Sequence, residues 1–296
     1  MRPSTLVYVS AELTPGGATA ALSARRRSTV AAALARPSGR AGLVLLAVTL
    51  AVAIGAPLIA GQDPFALSGA PLSPPSFAHL MGTDALGRDL LSGVAHGGRA
   101  SLLIAAAVTL VAVACGVSVG IIAGFRGGLV DDLLSRAVEL FQVIPRLFIV
   151  AIVMALFGPG LDRLILTLGL TSWPTLARVV RGEVLATRNL DYILASRALG
   201  ASPGYIAARG LLPNVMPGVL VMAGLLFGQA LLTEASLGFL GLGDPSTLSW
   251  GLLVGQSQGF LRVAWWLTAF PGLAITVAIL SFNLLADALS AVRGGR

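Results

Sequence analysis

The sequence predicts an all-α, polytopic membrane protein with six transmembrane helices, and three observations carry this prediction. Hydrophobic residues make up 56% of the 296 residues and charged residues only 11%, and the mean hydropathy is +0.88, outside the range of soluble domains. Charge-free stretches long enough to cross about 30 Å of hydrocarbon recur along the chain. The 20 basic residues are all arginine and cluster between alternate pairs of these stretches.

Six stretches are predicted to span the membrane. Two of them are weaker, because 137–158 contains Glu139 and Arg146, and because Trp173-Pro174 interrupts 161–180. Glu139 and Arg146 are seven residues apart, which places them on one helix face, where we expect them to satisfy each other or a partner subunit. The other four spans carry no charge: 41–62, 100–125, 210–233 and 263–286.

The distribution of arginine predicts that both termini are cytoplasmic. With the N-terminus inside, 15 arginines fall on the cytoplasmic side, and the reverse orientation would violate the positive-inside rule. Residues 1–40 then form a cytoplasmic tail, which is either mobile or an interfacial helix held to anionic lipid by Arg25-Arg26-Arg27. A cleaved signal peptide is the rival interpretation, but the apolar run is long for one and five more spans follow it. Four arginines remain outside: Arg88, Arg99, Arg163 and Arg262.

Two extracytoplasmic segments follow from this topology, 63–99 after the first span and 241–262 before the last. Trp265 and Trp266 fit an aromatic belt where the last span begins.

The segment 84–89 is predicted to form a structural turn. The acidic and histidine residues of this region match no common metal-ligand spacing, so no metal site is expected at His79, Asp84, Asp89 or His96. Cys115 lies in an apolar run and is expected to be a packed membrane residue.

The largest cytoplasmic loop, 182–213, is predicted to contain two short helices. Asn189 would cap a first helix through about Leu199, and Gly200 would follow in a left-handed conformation. Ser202 would cap a second helix that Pro203 opens and that ends before Pro213. One face of the first helix carries a set of contact residues that either packs on the chain's own spans or binds a partner: Leu190, Ile193, Leu194 and Arg197.

The stretch EVLATRNLDYILASRALGASPGYIAARGLLPN resembles the cytoplasmic loop of permease subunits in binding-protein-dependent ABC importers. That loop has the signature Glu-Ala-Ala, three residues, Gly, nine residues, Ile-x-Leu-Pro. This chain keeps its register at Ala195, Gly200, Leu212 and Pro213 and departs from it at Leu194, Ser196 and Gly210.

Other segments resemble the dipeptide, oligopeptide and nickel branch of the same family, in the correct order, across about residues 40–293. They are GTDALGRDLLSGVAHGGRASL, GFRGGLVDDLLSRAVELFQVIP, SWPTLARVVRGEVL and EASLGFLGLGDPSTLSWG. The long tail and the first of these segments are similar to the second permease subunit of such systems. The resemblance implies the type I importer permease fold, with 100–293 forming a five-helix permease core after the first span.

The resemblance also implies partners. These are a homologous permease subunit in a heterodimer, two ATP-binding subunits, an extracytoplasmic substrate-binding protein and the lipid bilayer of a prokaryotic plasma membrane. A chain without lysine has no P-loop, so ATP and Mg²⁺ belong to the partner subunits and this chain needs no cofactor. The implied ATPase-coupling residues are Leu194, Ala195, Ser196, Arg197, Ala198, Leu199, Gly200, Ala201, Ser202, Pro203, Leu212 and Pro213.

Two other classes of protein compete with a permease. A hydrolase is suggested by GASPG, which formally matches a nucleophile elbow at Ser202, but the predicted helix before it is not a strand. A channel would also place polar groups at membrane depth, and Glu234 is the candidate residue of a translocation path.

We expect peptide as the transported solute, with nickel or another small solute as the alternative. The arginines that give the net charge of +7 are distributed according to the predicted membrane topology, so this charge does not indicate binding of nucleic acid.

Overall fold

The computed structural model describes residues 31–60 and 63–294, so most of the predicted tail lies outside the described residues. In this part of the chain the structure is helical, with isolated β-bridges in the loop before α3. The helices are α1 Pro37–Ile54, α2 Ala56–Ile59, α3 Leu90–Arg126, α4 Gly128–Val143, α5 Arg146–Phe157, α6 Leu161–Thr187, α7 Asp191–Ala198, α8 Pro203–Phe239, α9 Trp250–Gln256 and α10 Trp266–Gly294.

Four helices within the described ranges are long and apolar enough to cross a membrane, namely α1, α3, α8 and α10. The pair α4 and α5 is apolar enough when taken together, but the two helices meet at an angle of 77° and form a broken span or a re-entrant loop. Helix α6 has 27 residues, a sufficient length, yet its charged residues keep it below the apolarity of a typical span. The prediction of six spans therefore exceeds the four or five that length and composition support.

The break between α4 and α5 corrects the prediction that Glu139 and Arg146 share one helix face. Ile144 is extended (φ −82°, ψ 122°) and precedes Pro145, which lacks an N–H and disfavours helix at the residue before it. The two charged residues therefore belong to different helices. No ion pair between Glu139 and Arg146 is found in the described part of the chain, so these two residues do not satisfy each other.

Helices α3 and α6 pack closely along a row of glycines. A Cβ atom placed on each of these glycines would lie only 2.7–2.9 Å from a Cβ atom of α6, so only a residue without a side chain permits this approach. The predicted interruption at Trp173-Pro174 is wrong, because α6 runs through both residues, which are buried in the protein. The facing pairs are Gly116 with Leu176, Gly120 with Val180, and Gly124 with Val184.

The two segments predicted to be extracytoplasmic pack on the N-terminal ends of α3 and α10. Trp266 is buried and its indole N–H donates to the Thr83 carbonyl at 3.3 Å, whereas Trp265 is 59% exposed. The predicted aromatic belt is therefore wrong for Trp266, which serves the chain's own core. Cys115 packs beside Val138 and Trp173, as the sequence predicts.

Candidate functional site

The turn between α7 and α8 has the predicted left-handed glycine. Gly200 has φ +78°, and its N–H donates to the Arg197 carbonyl at 3.0 Å, while the N–H of Ala201 donates to the Ser196 carbonyl at 3.0 Å. These two bonds complete a Schellman motif, which satisfies the last carbonyls of α7. The start of α7 differs from the prediction, since Leu190 and not Asn189 occupies the N-cap position, without a side-chain bond.

The second helix begins as predicted but does not end before Pro213. Ser202 Oγ accepts the Tyr205 N–H at 3.3 Å, and Pro203 is the first helical residue. The Ser202 hydroxyl is therefore a helix cap. The element before Ser202 is a helix, whereas a nucleophile elbow requires a strand there. A π-helical turn, Ile206–Leu211, then leads directly into the rest of α8. This turn places Pro213, which has no N–H to donate, in the first turn of the following α-helix.

One side of α7 is buried against the chain's own spans. Ile193 is only 1% exposed and belongs to one apolar cluster with Ile206 and Leu211 of α8 and Val184 of α6. Its Cδ1 atom would lie 2.6 Å from a Cβ atom on Gly210. The glycine at this position therefore makes room for the isoleucine that fixes α7 to the π-helical turn.

The other side of the loop forms an exposed apolar ridge, which we define as Leu194, Leu199 and Tyr205. Leu199 is 88% exposed and Leu194 is 46% exposed. Within the described structure nothing covers this ridge. The prediction that this face packs on the chain's own spans is confirmed for Ile193, whereas binding of a partner by Leu194 stays a prediction.

Polar contacts tie the base of the loop to α3 and α8. The guanidinium of Arg197 lies 4.9 Å from the centre of the Phe125 ring at the end of α3, and Arg188 donates to the Gly124 carbonyl at 2.9 Å. Asn214 donates to the Tyr192 hydroxyl at 2.8 Å. These contacts therefore fix the loop to the two long helices α3 and α8.

The structure brings most of the implied coupling residues together in one exposed turn. Residues 194–203 surround Gly200, and among them Ser196 and Ala201 are half-buried while the others are exposed. Leu212 and Pro213 are half-buried within α8 and serve as the foundation of the turn instead of its surface. Arg197 is exposed, but its cation is already placed over Phe125.

Glu234 lies inside the fold near the C-terminal end of α8, which is the outer end of this helix in the predicted topology, and it is 4% exposed. Its carboxylate accepts the Ser249 hydroxyl at 2.6 Å and the Ser101 hydroxyl at 3.3 Å. Ser101 in turn accepts the Trp250 backbone N–H at 2.9 Å, and Ser249 caps α9 by accepting the Leu252 N–H. This polar network joins α3, α8 and α9, and a role for Glu234 in a translocation path stays a prediction.

The predicted turn at 84–89 is confirmed. The Asp84 carboxylate accepts the N–H groups of Leu86 and Arg88, both at 2.8 Å. His79 contacts Asp89 at 3.0 Å, and Asp89 also caps α3. Among the described residues no group of three or more His, Cys, Asp or Glu side chains is arranged to hold a metal ion.

Sequence reasoning missed two sets of residues that position the site. The glycines of α3 were visible as a four-residue repeat in GVSVGIIAGF, the spacing of closely packed membrane helices. The ion pair of Asp131 with Arg181, at 2.7 Å between a carboxylate oxygen and Nη2, joins α4 to α6 across 50 residues of sequence and carries no local signal.

A bundle of long apolar helices that is firmly joined to a loop with an uncovered apolar ridge defines an integral membrane component of a larger assembly. The family model described as binding-protein-dependent transport system inner membrane component matches residues 116–292. The chain belongs to this family, and it is a permease of the binding-protein-dependent ABC transport systems.

Individual relatives agree with this assignment over most of their length. The di/tripeptide transport system permease protein of Pseudomonas aeruginosa (strain UCBPP-PA14) is 36% identical over 84% of each chain. The oligopeptide transport system permease protein of Bacillus subtilis (strain 168) is 35% identical over 84% of this chain and 82% of its own. Among solved structures, a chain of the inward-facing MetNI methionine ABC transporter has a similar fold, with a TM-score of 0.57 at 21% identity, covering 70% of this chain and 98% of that one.

Proposed function

We propose that this chain is a permease subunit of an ATP-driven importer of short peptides, with its loop at 182–213 driven by separate ATPase subunits. Peptide as the solute is supported by the relatives named above, which are permeases of di/tripeptide and oligopeptide transport systems. The chain would form the translocation path with a homologous permease subunit. A separate extracytoplasmic binding protein would deliver the peptide, and the ATPases would hold ATP and Mg²⁺.

The observation that carries the ATPase contact is the exposed ridge of Leu194, Leu199 and Tyr205 around the left-handed Gly200. Covering a leucine side chain fully contributes about 1.5–3 kcal/mol, so a groove on a partner that takes this ridge would bind it firmly. The chain of a solved ABC transporter with a similar fold supports an assembly of the same kind.

The geometry of the loop suggests how movement would reach the membrane. Ile193 and the π-helical turn join α7 to α8, while Arg188 and Arg197 join its surroundings to the end of α3. Movement of the ridge would therefore be carried to α3, α6 and α8 together, as a rigid-body rearrangement around a short lever. Glu234 would act at the opposite end of α8, either along the path or as the support of the outer network.

The proposed orientation places both termini and the 182–213 loop in the cytoplasm of a prokaryote. We expect single cysteines near Ser73 and Ser246, in a Cys115→Ala background, to react with an impermeant maleimide added outside. A cysteine near Ser202 should react only after the membrane is permeabilised. Reversed labelling would remove the basis for contact between this loop and cytoplasmic ATPases.

The proposed function is tested by uptake of radiolabelled dialanine into vesicles that contain the two permease subunits, the ATPases and the binding protein. We expect uptake that requires ATP, and no ATPase activity from this chain alone. Loaded binding protein that drives ATP-dependent uptake of a metal or another solute but not of peptides would refute the assignment of peptide as substrate.

A further inference from the structure

Arg146 is a charged residue for which the described part of the chain provides no ion-pair partner. It is the first residue of α5, at the break within the apolar pair α4 and α5, and it is half-buried. None of the side chains that line the space beside it carries a carboxylate. An arginine at membrane depth is costly without an anion and marks a functional site by default.

The side chain of Arg146 lines an open groove of about 640 Å³ between α5 and α8. This volume lies within the range of about 300–1,000 Å³ that is usual for sites of small ligands. Apart from Arg146 and the hydroxyls of Thr233 and Ser236, the lining is apolar: Pro145, Leu147, Phe148, Ala151, Leu232, Leu240 and Leu242.

The two hydroxyls of the groove are available as acceptors only. Thr233 Oγ1 donates to the Gln229 carbonyl at 2.7 Å, and Ser236 Oγ donates to the Leu232 carbonyl at 2.8 Å. Their free lone pairs suit N–H groups of an occupant. The groove therefore combines one cation, two acceptors and an apolar wall, which fits a small molecule with one anionic end, N–H groups and apolar parts.

A path that passes peptides of many sequences must recognise what these peptides share. At neutral pH every unmodified peptide has an α-carboxylate, backbone N–H groups and an α-ammonium, whereas its side chains vary. Arginine matches a carboxylate with two parallel hydrogen bonds, and such charge-assisted bonds are the strong ones. The apolar wall of the groove accommodates side chains without selecting among them.

We propose that Arg146 binds the C-terminal carboxylate of the transported peptide in the groove between α5 and α8. This assignment rests on the proposed function, because it takes peptide as the solute. It names a residue of this chain for substrate recognition, at the position where Pro145 breaks the third predicted span.

The test compares initial uptake rates of dialanine and of its C-terminal amide in vesicles with the complete transporter. Arg146→Gln should lower the rate for dialanine about tenfold and leave the rate for the amide unchanged. Arg146→Lys should keep most of the preference. Any preference of the binding protein for free carboxylates affects wild type and variant equally. It therefore cancels when the ratio of the dialanine rate to the amide rate is compared between wild type and variant.

A second measurement does not depend on uptake of the dialanine amide, and it decides the question where wild type transports this amide too slowly for a rate to be determined. In the Cys115→Ala background, Arg146→Cys should regain dialanine uptake after modification with a positively charged aminoethyl reagent but not with a neutral methyl reagent, and dialanine should slow the modification.

Two results would overturn the proposal. One is an equal loss of uptake for the acid and the amide, and the other is loss of the homologous subunit from the purified Arg146→Gln complex, which would assign the missing carboxylate to that subunit. Wild type that takes up neither peptide would instead refute the proposed function.

Discussion

The two ends of α8 differ in how far the chain completes its own structure. At the outer end the Glu234 carboxylate, the Ser101 and Ser249 hydroxyls and the Trp250 N–H satisfy one another in a buried network. At the inner end the same helix begins beside the ridge of Leu194, Leu199 and Tyr205, which the described residues leave exposed. The network at the outer end therefore stabilises the subunit itself, whereas the ridge at the inner end is available for contact with another protein.

The same difference appears within the inner end itself. Ile193 and Leu194 are neighbours in α7, yet Ile193 is buried in the chain's own apolar cluster and Leu194 is 46% exposed. The firm base and the uncovered ridge are thus separate surfaces of one short helix. Substitutions on the two surfaces should affect different measurements.

The largest effect on stability is expected at the outer end. Glu234→Ala removes the acceptor of two buried hydroxyls and leaves a cavity between α3, α8 and α9, so it should destabilise the folded subunit by about 3 kcal/mol. Glu139→Ala is the matched control, because that carboxylate is exposed. Thermal unfolding in detergent measures both, and equal unfolding temperatures for the two variants would show that the outer network contributes nothing to stability.

A slightly smaller effect on folding is expected from Ile193→Ala, at about 2–3 kcal/mol, because a fully buried side chain is truncated. Leu199→Ala should leave the unfolding temperature unchanged and weaken ATPase binding about tenfold, since that side chain is 88% exposed in the subunit. Unfolding and co-purification with the ATPases measure the two effects. A loss of folding stability in Leu199→Ala would contradict the separation of the two surfaces.

The smallest effect concerns the turn after α8. The Ser246 hydroxyl donates to the Asp244 carboxylate, and this bond, with the Ser246 N–H and the Thr247 hydroxyl, lowers the pKa of Asp244 below its usual value. A lowered folded-state pKa stabilises the turn above the ordinary value of about 4, and this stabilisation is lost as the pH falls through the folded-state pKa.

The pH dependence can be isolated with Asp244→Asn. The stability difference between wild type and this variant should be constant near pH 7 and should shrink below about pH 4. Hydrogen exchange of the Ser246 and Thr247 amides, corrected for intrinsic rates, measures the difference. A difference that grows on acidification would show that the carboxylate is not the group that orders the turn.

The sequence predicts local features of the fold and site more reliably than features that depend on distant contacts. Gly200 and Ser202 act where the sequence places them, because a left-handed turn and a helix cap are set by the residues themselves. The ends of helices were less accurate. The second loop helix continues through Pro213 because the π-helical turn joins it to the span, and this depends on packing around Ile193 and Gly210.

Tertiary partners could not be predicted from one sequence. The bonds of Glu234 to Ser101 and of Asp131 to Arg181 connect residues 133 and 50 positions apart. Nothing local to Glu234 indicates which hydroxyls it accepts, and its polarity at membrane depth suggested a path as readily as a buried network. The break at Pro145 was visible as a proline, but the 77° angle that separates Glu139 from Arg146 was not.

The central claim is that the turn at Gly200 transmits ATPase movement to the spans, and a pair of glycines tests it most directly. Gly200 and Gly241 have nearly equal left-handed φ angles, +78° and +75°, and a Cβ atom on either would meet no atom within 4 Å. A valine at either position therefore costs about 1–2 kcal/mol of backbone strain, and its Cβ atom meets no neighbouring atom.

In vesicles with the complete transporter, we expect Gly200→Val to retain basal ATP hydrolysis. Dialanine uptake should fall at least tenfold, and so should the stimulation of ATP hydrolysis by loaded binding protein. Gly241→Val should transport at close to the wild-type rate. Wild-type uptake in Gly200→Val, or an equal loss in both variants, would contradict the assignment of the 182–213 loop as the coupling element.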